Sequence, residues 1–99
     1  MNNISYEERA AIYDQALECF GKNNQLVVAL EELSECQKEI CKAMRMHPDF
    51  EHLAEEIADA TIMLEQVRLM FDINELVCKE MDRKVTRLKN RIFCIMEAP

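Results

Sequence analysis

Only one glycine, Gly21, and one internal proline, Pro48, interrupt this chain of 99 residues. Because these two residue types are the strongest breakers of regular structure, a chain almost free of them is restricted to a few long elements. Apolar residues recur at intervals of three and four along nearly the whole chain, and no stretch shows the alternation of a strand. We therefore expect an all-α fold.

The first two helices have recognisable ends. Ser5 followed by Glu8 has the spacing of a capping box, which predicts a helix start, and Gly21 suits the C-terminal cap of the same helix. Asn23 or Asn24 is then expected to cap a second helix that runs to about residue 45. The apolar side of this second helix is the stripe Leu26, Leu30, Leu33, Gln37, Ile40, Cys41 and Met44.

Two further helices follow. Pro48 suits the first turn of a third helix, which we expect to run to about Phe71. Asp72 or Asn74 is expected to cap a fourth helix. Because short connections make neighbouring helices antiparallel, the sequence predicts one domain over residues 1–99, an antiparallel four-helix bundle. The apolar stripe of the fourth helix is Val77, Met81, Val85, Leu88, Ile92 and Ile95.

The third helix is apolar on most of its circumference, particularly from Ile62 to Phe71. A helix that is apolar nearly all round is buried on most sides, and so small a chain has little of its own to cover it. This pattern predicts a homo-oligomer with the third helix between subunits. A monomer with a loosely covered helix is the alternative.

Composition excludes several classes of protein. A net charge of −7 repels a phosphate backbone, so we expect no nucleic-acid partner. With no long apolar run and no N-terminal secretory signal, the sequence predicts no membrane span and a cytoplasmic location. The five cysteines lack metal or disulfide spacing, which favours reduced and mostly buried thiols. Tyr6 and Tyr13 of the first helix are expected to lie in the core of the fold.

Acidic residues occur in two clusters, and the two differ. On the second helix, Glu32, Glu35 and Glu39 lie opposite the Leu/Ile stripe, which is typical of a solvated face. On the third helix, Glu56 and Asp59 share a side with large apolar residues, where an isolated charge is costly to bury. The solvent-exposed side of the third helix is instead predicted to carry Thr61, Glu65 and Arg68.

Carboxylates at i and i+3 on two neighbouring helices can converge on one cation site. All candidate ligands are oxygens, which suits Mg²⁺ or Mn²⁺ rather than Zn²⁺. A di-iron bundle would need a Glu-x-x-His motif. Neither His47 nor His52 has a glutamate three residues earlier, so that alternative fails. Basic residues accompany the acids: Lys84, Arg87 and Arg91 on one side of the fourth helix, and Lys42 on the second.

The motif E-E-x-x-E at residues 31–35, followed by E-x-x-D at 56–59, resembles the signature of MazG-like all-α nucleoside triphosphate pyrophosphohydrolases. Lys84 and Arg87 on the last helix extend the likeness, which covers about residues 23–91. The short single-module length is similar to compact, phage- or prophage-type members. The C-terminal segment departs from the pattern, since it lacks the asparagine-aspartate pair that some relatives carry there.

The resemblance implies cleavage of a nucleoside triphosphate to the monophosphate and pyrophosphate by a water that attacks the α-phosphorus. It implies a homodimer or dimer-based tetramer with sites near the subunit contact. It also implies roles for individual residues. The Mg²⁺ ligands would be Glu32, Glu35, Glu56 and Asp59, and the general base would be Glu31 or Glu35. The residues that bind phosphate would be Lys84, Arg87 and Lys42. Asn24 and Gln25 are candidates for binding base or sugar. A non-catalytic helical interaction module is the alternative function.

Overall fold

The computed structural model describes residues 3–45 and 48–98. Every regular element within these two ranges is helical, with no strand, so the all-α prediction is confirmed, and the helix packing fits a bundle. The four helices are α1 (Tyr6–Phe20), α2 (Lys22–Ala43), α3 (Phe50–Met70) and α4 (Asn74–Met96).

The ends of α1 are those that the sequence predicts. The Ser5 hydroxyl accepts a hydrogen bond from the Glu8 backbone N–H at 3.1 Å. At the other end, the Gly21 N–H donates to the Leu17 carbonyl at 2.9 Å. Gly21 has φ +87°, a conformation that L side chains rarely adopt, which is why a glycine stands at this position.

The other predicted caps are wrong in detail. α2 begins directly after Gly21, and the side-chain amide of Asn24 instead donates to the Phe20 carbonyl at the end of α1, at 2.8 Å. α3 is capped by Asp49, whose carboxylate accepts from the His52 N–H at 3.1 Å; Pro48 precedes this cap.

α4 has no side-chain cap, because Ile73 occupies that position. Asp72, one of its two predicted caps, instead forms the turn with φ +54°. Asn74, the other candidate, is the first residue of the helix itself. The helices are found where the spacing places them, while capping depends on which short loop the packing allows.

α2 and α3 pack side by side in opposite directions. Gln25 of α2 contacts Gln66 of α3, and seven residues further along α2, Glu32 lies beside Asp59, seven residues back along α3. A second step of seven brings Glu39 to His52. A contact that repeats every seven residues is the register of a left-handed coiled coil, here with a polar pair at each repeat.

The covered side of α2 is not the side that the sequence predicts. Ala29 and Glu39 are buried, at 4% exposure each, while Leu30 is 68% and Met44 83% exposed. The Leu/Ile stripe therefore faces outward, and the acidic side packs on α3. The buried residues of both helices include a small one, Ala29 on α2 and Ala60 on α3. Small residues at a helix contact allow the two helices to approach closely.

α1 packs on a side of α3 that was predicted to be solvated. Tyr13 is buried, and its hydroxyl donates to Glu65 at 2.8 Å. Arg9 binds the same carboxylate at 3.2 Å. Burial, followed by the bond to Glu65, raises the pKa of Tyr13 to about 12. The core role of Tyr13 is thus confirmed, whereas Tyr6 is exposed.

α4 is the least covered helix. Among the described helices it packs closely only against α3, and every residue from Cys78 to Ala98 is exposed. Its predicted apolar stripe is therefore uncovered beyond Val77. The five cysteines are free thiols, as expected, but all except Cys36 are exposed, so the prediction of buried thiols is wrong.

Candidate metal centre

Three carboxylates from two helices meet near the middle of the α2–α3 contact. Glu32 comes from α2. Glu56 and Asp59 come from α3, where they lie three residues, or about one helical turn, apart. One oxygen atom from each lies within 4.8 Å of the other two. Two of the three are partly buried and Asp59 is exposed, so the group is open to solvent on one side. We call these three residues the acidic cluster.

Among the described residues, only His52 lies within ion-pair distance of the acidic cluster, and no lysine or arginine does. Partial burial, together with the nearby carboxylates of Asp59 and Glu56, raises the pKa of Glu32 above its usual value. Glu35 and Glu31 add to this effect from the same helix. A raised pKa means that the folded protein resists ionising this group, which is the electrostatic condition that a bound cation relieves.

Glu56 provides a second sign of an unfilled bonding requirement. Its side chain is 12% exposed, and its Oε2 atom is buried with no hydrogen-bond partner among the described residues. A buried carboxylate oxygen without a donor costs free energy unless a proton or a cation neutralises it. The side chain that stood out in the sequence as an acid among apolar residues is therefore also unsatisfied in the fold.

The donor chemistry fits a hard divalent cation. The three groups offer only carboxylate oxygens, which Mg²⁺ and Mn²⁺ prefer. Two oxygens on opposite sides of Mg²⁺ are roughly 4 Å apart, given its bond length of about 2.1 Å. The separation of up to 4.8 Å in the acidic cluster is close to that span.

A second polar group adjoins the acidic cluster. The His52 Nε2 atom lies 3.5 Å from Glu39 Oε1 and 3.8 Å from Glu56 Oε1. Glu39 is buried and also pairs with Lys42 at 3.1 Å. Glu39 and His52 are not among the residues that the sequence predicts for the site. The seven-residue steps from Glu32 to Glu39 and from Asp59 to His52 were a signal that could have found them.

The remaining predicted acids lie close to the cluster but outside it. Glu35 and Glu31 are exposed, and their charges raise the pKa of Glu32 less than those of Asp59 and Glu56 do. Lys42, predicted to bind phosphate, is joined to the cluster indirectly through Glu39 and His52.

Four other predicted residues are not brought to the cluster within one chain. Lys84 and Arg87 lie on the exposed part of α4, which has no close contact with α2. Gln25 is buried, and its side-chain N–H donates to Gln66 Oε1 at 2.7 Å. The amide of Asn24 is bound to the Phe20 carbonyl. The donor groups of Gln25 and Asn24 thus serve the fold.

Comparisons of the chain with models of known protein families, with curated proteins and with solved structures find no match. The MazG-like resemblance therefore stays a prediction that depends on the motifs at 31–35 and 56–59. None of the described helices is long and apolar enough to cross a membrane.

Proposed function

We propose that this protein is a Mg²⁺-dependent nucleoside triphosphate pyrophosphohydrolase of the MazG-like type, which converts (d)NTP to (d)NMP and pyrophosphate. The observation that supports this proposal best is the meeting of Glu32 from α2 with Glu56 and Asp59 from α3. The two motifs are separated by 20 residues of sequence, and the antiparallel register of α2 and α3 is what puts their carboxylates side by side.

In this proposal Glu32, Glu56 and Asp59 hold the metal, with Glu35 as a further ligand from one turn along α2. When bound, Mg²⁺ neutralises phosphate charge and lowers the pKa of a water molecule. Glu35 or Glu31 accepts a proton from the attacking water. That water adds to the α-phosphorus while the bond to the oxygen bridging the α- and β-phosphates breaks, and pyrophosphate leaves with that oxygen.

Cations on other parts of the chain complete the proposed site. Lys42, which pairs with Glu39, is proposed to donate to phosphate oxygens. Lys84 and Arg87 are proposed to steady the departing pyrophosphate. Because α4 does not reach α2 within one chain, they can serve the site only in an assembly. The proposal therefore includes a homodimer or a dimer-based tetramer.

The test is a panel of NTPs and dNTPs with Mg²⁺, assayed for both nucleoside monophosphate and pyrophosphate. We expect both products in equal amounts, and we expect Glu56→Gln and Asp59→Asn to lower the rate by on the order of 10²-fold or more. Glu18→Gln, an exposed acid on α1, is the matched control and should retain full activity. No product with any nucleotide, or full activity in both site variants, would contradict the proposal.

A non-catalytic helical interaction module is the second candidate. The outward-facing apolar residues of α2 and α4 favour it, because exposed apolar surface of this extent is typical of binding surfaces. Such a module needs no cation. Titration with Mg²⁺ or Mn²⁺ should therefore leave its melting temperature unchanged, whereas binding to the acidic cluster raises the melting temperature.

A further inference from the structure

The surface area of one chain is too large for a folded protein of this size. The chain of 11.6 kDa exposes 8334 Å², whereas a compact monomer of this mass exposes roughly 5,800 Å². Its radius of gyration is 17.1 Å, against about 13 Å for a compact domain of 100 residues. The excess of roughly 2,500 Å² exceeds the ~800 Å² that each partner buries in a standard interface.

The excess surface includes two apolar stripes of the same form. On α2 and on α4, mostly apolar and exposed residues recur at steps of four and three, the spacing of a coiled-coil seam; the exceptions on α2 are the half-buried Leu26 and the polar Gln37. Six heptad positions make up each stripe, and the two stripes are nearly equal in length. The α2 stripe is Leu26, Leu30, Leu33, Gln37, Ile40 and Met44, and the α4 stripe is Cys78, Met81, Val85, Leu88, Ile92 and Ile95.

Charge distinguishes the possible partners of α4. This helix holds six of the twelve basic residues and three of the nineteen acidic ones, a net charge of +3, so the rest of the chain carries −10. Between Arg83 and Arg91 there are five bases and no acid. Two copies of α4 side by side would bring these basic segments together, which is unfavourable, while the acidic remainder of a second copy attracts them.

We infer that the α4 stripe of each copy packs on the α2 stripe of a second copy. The interaction covers both unpartnered stripes with one contact, and the opposite net charges of α4 and the rest of the chain favour it. The contact itself does not depend on the proposed function. One consequence rests on the proposed function: packing of α4 on a second copy would bring Lys84 and Arg87 to the α2 and α3 helices that bear the acidic cluster.

Sedimentation of the purified full-length protein, without nucleotide or metal, tests the inference. We expect wild type to sediment as a dimer or a larger assembly. Leu30→Glu on α2 and Leu88→Glu on α4 should each weaken association by on the order of 10²-fold, since each puts a charge into an apolar contact. Both residues are at least half exposed in the single chain, so the folded monomer tolerates these changes.

Matched controls introduce the same side chain away from the stripes. Val27→Glu on α2 and Asn90→Glu on α4 lie about 100° and about 170° around their helices from the middle of the stripe, and both residues are exposed. They should sediment as wild type does, and far-ultraviolet circular dichroism should show equal helix content in all variants.

Three results would overturn the inference. The first is a monomeric wild type, which would assign the stripes to a different partner. The second is dissociation by Leu88→Glu but not by Leu30→Glu, which would indicate pairing of α4 with α4. The third is equal dissociation by the controls. Because no step requires catalysis, a failed nucleotide assay with a confirmed assembly, or the reverse, separates the two proposals.

Discussion

Replacing Glu32 by glutamine should stabilise the metal-free protein, although the residue lies in the proposed active site. Glu32 faces two like charges, Glu56 and Asp59, across at most 4.8 Å. In surroundings as polar as water, each such pair costs about 1 kcal/mol. Loss of the Glu32 charge therefore relieves about 1 to 2 kcal/mol, and the new amide can donate to the unpartnered oxygen of Glu56.

The pH dependence of this effect has a definite sign. The pKa of Glu32 is raised in the folded state, so the folded protein binds its proton more tightly than the unfolded chain does. At pH well below the unfolded pKa, Glu32 is protonated in both states, so its charge does not lower the free energy of unfolding. The cost grows as pH rises from that value through the raised folded pKa, and it is complete above the latter. The stabilisation by Glu32→Gln should therefore be absent in acid and should increase as pH rises toward neutrality.

Thermal unfolding followed by circular dichroism in EDTA measures the effect. For a domain of about 100 residues, 1 kcal/mol shifts the melting temperature by roughly 4 to 8 °C, so an increase of at least about 4 °C is expected at pH 7. In Mg²⁺ at about 100 times Kd the order reverses, because wild type gains about 2.7 kcal/mol from binding and the variant does not.

Glu18→Gln, on the exposed surface of α1, controls for the loss of one negative charge and should change neither quantity. A lower melting temperature for Glu32→Gln in EDTA at pH 7, or an undiminished response to Mg²⁺, would refute this account of the acidic cluster.

Two further predictions concern the helix contacts. Tyr13→Phe should destabilise the protein by about 1 to 2 kcal/mol in urea unfolding, because Glu65 loses its hydroxyl donor and keeps only Arg9; an unchanged midpoint would show that the bond contributes nothing. Gln66→Leu should cost about 1 to 3 kcal/mol by leaving Gln25 buried without its partner, and adding Gln25→Leu should recover most of that loss. Additive losses in the double variant would contradict the pairing.

Local features of the sequence predict local structure well. The hydroxyl of Ser5 and the missing side chain of Gly21 act within four residues of themselves, and both ends of α1 lie where these residues predict. Capping residues predict the structure less well where two different short connections between helices are possible. Asn24 binds backward to α1 and not forward, because Gly21 alone is enough to join the two helices.

Part of the acidic cluster could be predicted from the sequence. Glu56 and Asp59 share a helical side with large apolar groups, and a charge in that company needs a partner whatever the fold. Glu32 was predicted to join these two acids only from its motif, since the surrounding pattern indicated a solvated face. Glu39 and His52 were not found, because their contact depends on the register between two helices.

The sequence by itself determined that this chain is helical, where most of its helices begin and end, and which acids are out of place among apolar side chains. These properties follow from spacing along the chain, which periodicity reports directly. Only the tertiary structure decided which side of α2 is covered. Periodicity separates two sides of a helix, but which side packs depends on the partner helix, and the buried residues of α2 and α3 include the small Ala29 and Ala60. In the folded chain the leucine side of α2 faces outward, and nearly all of α4 is exposed.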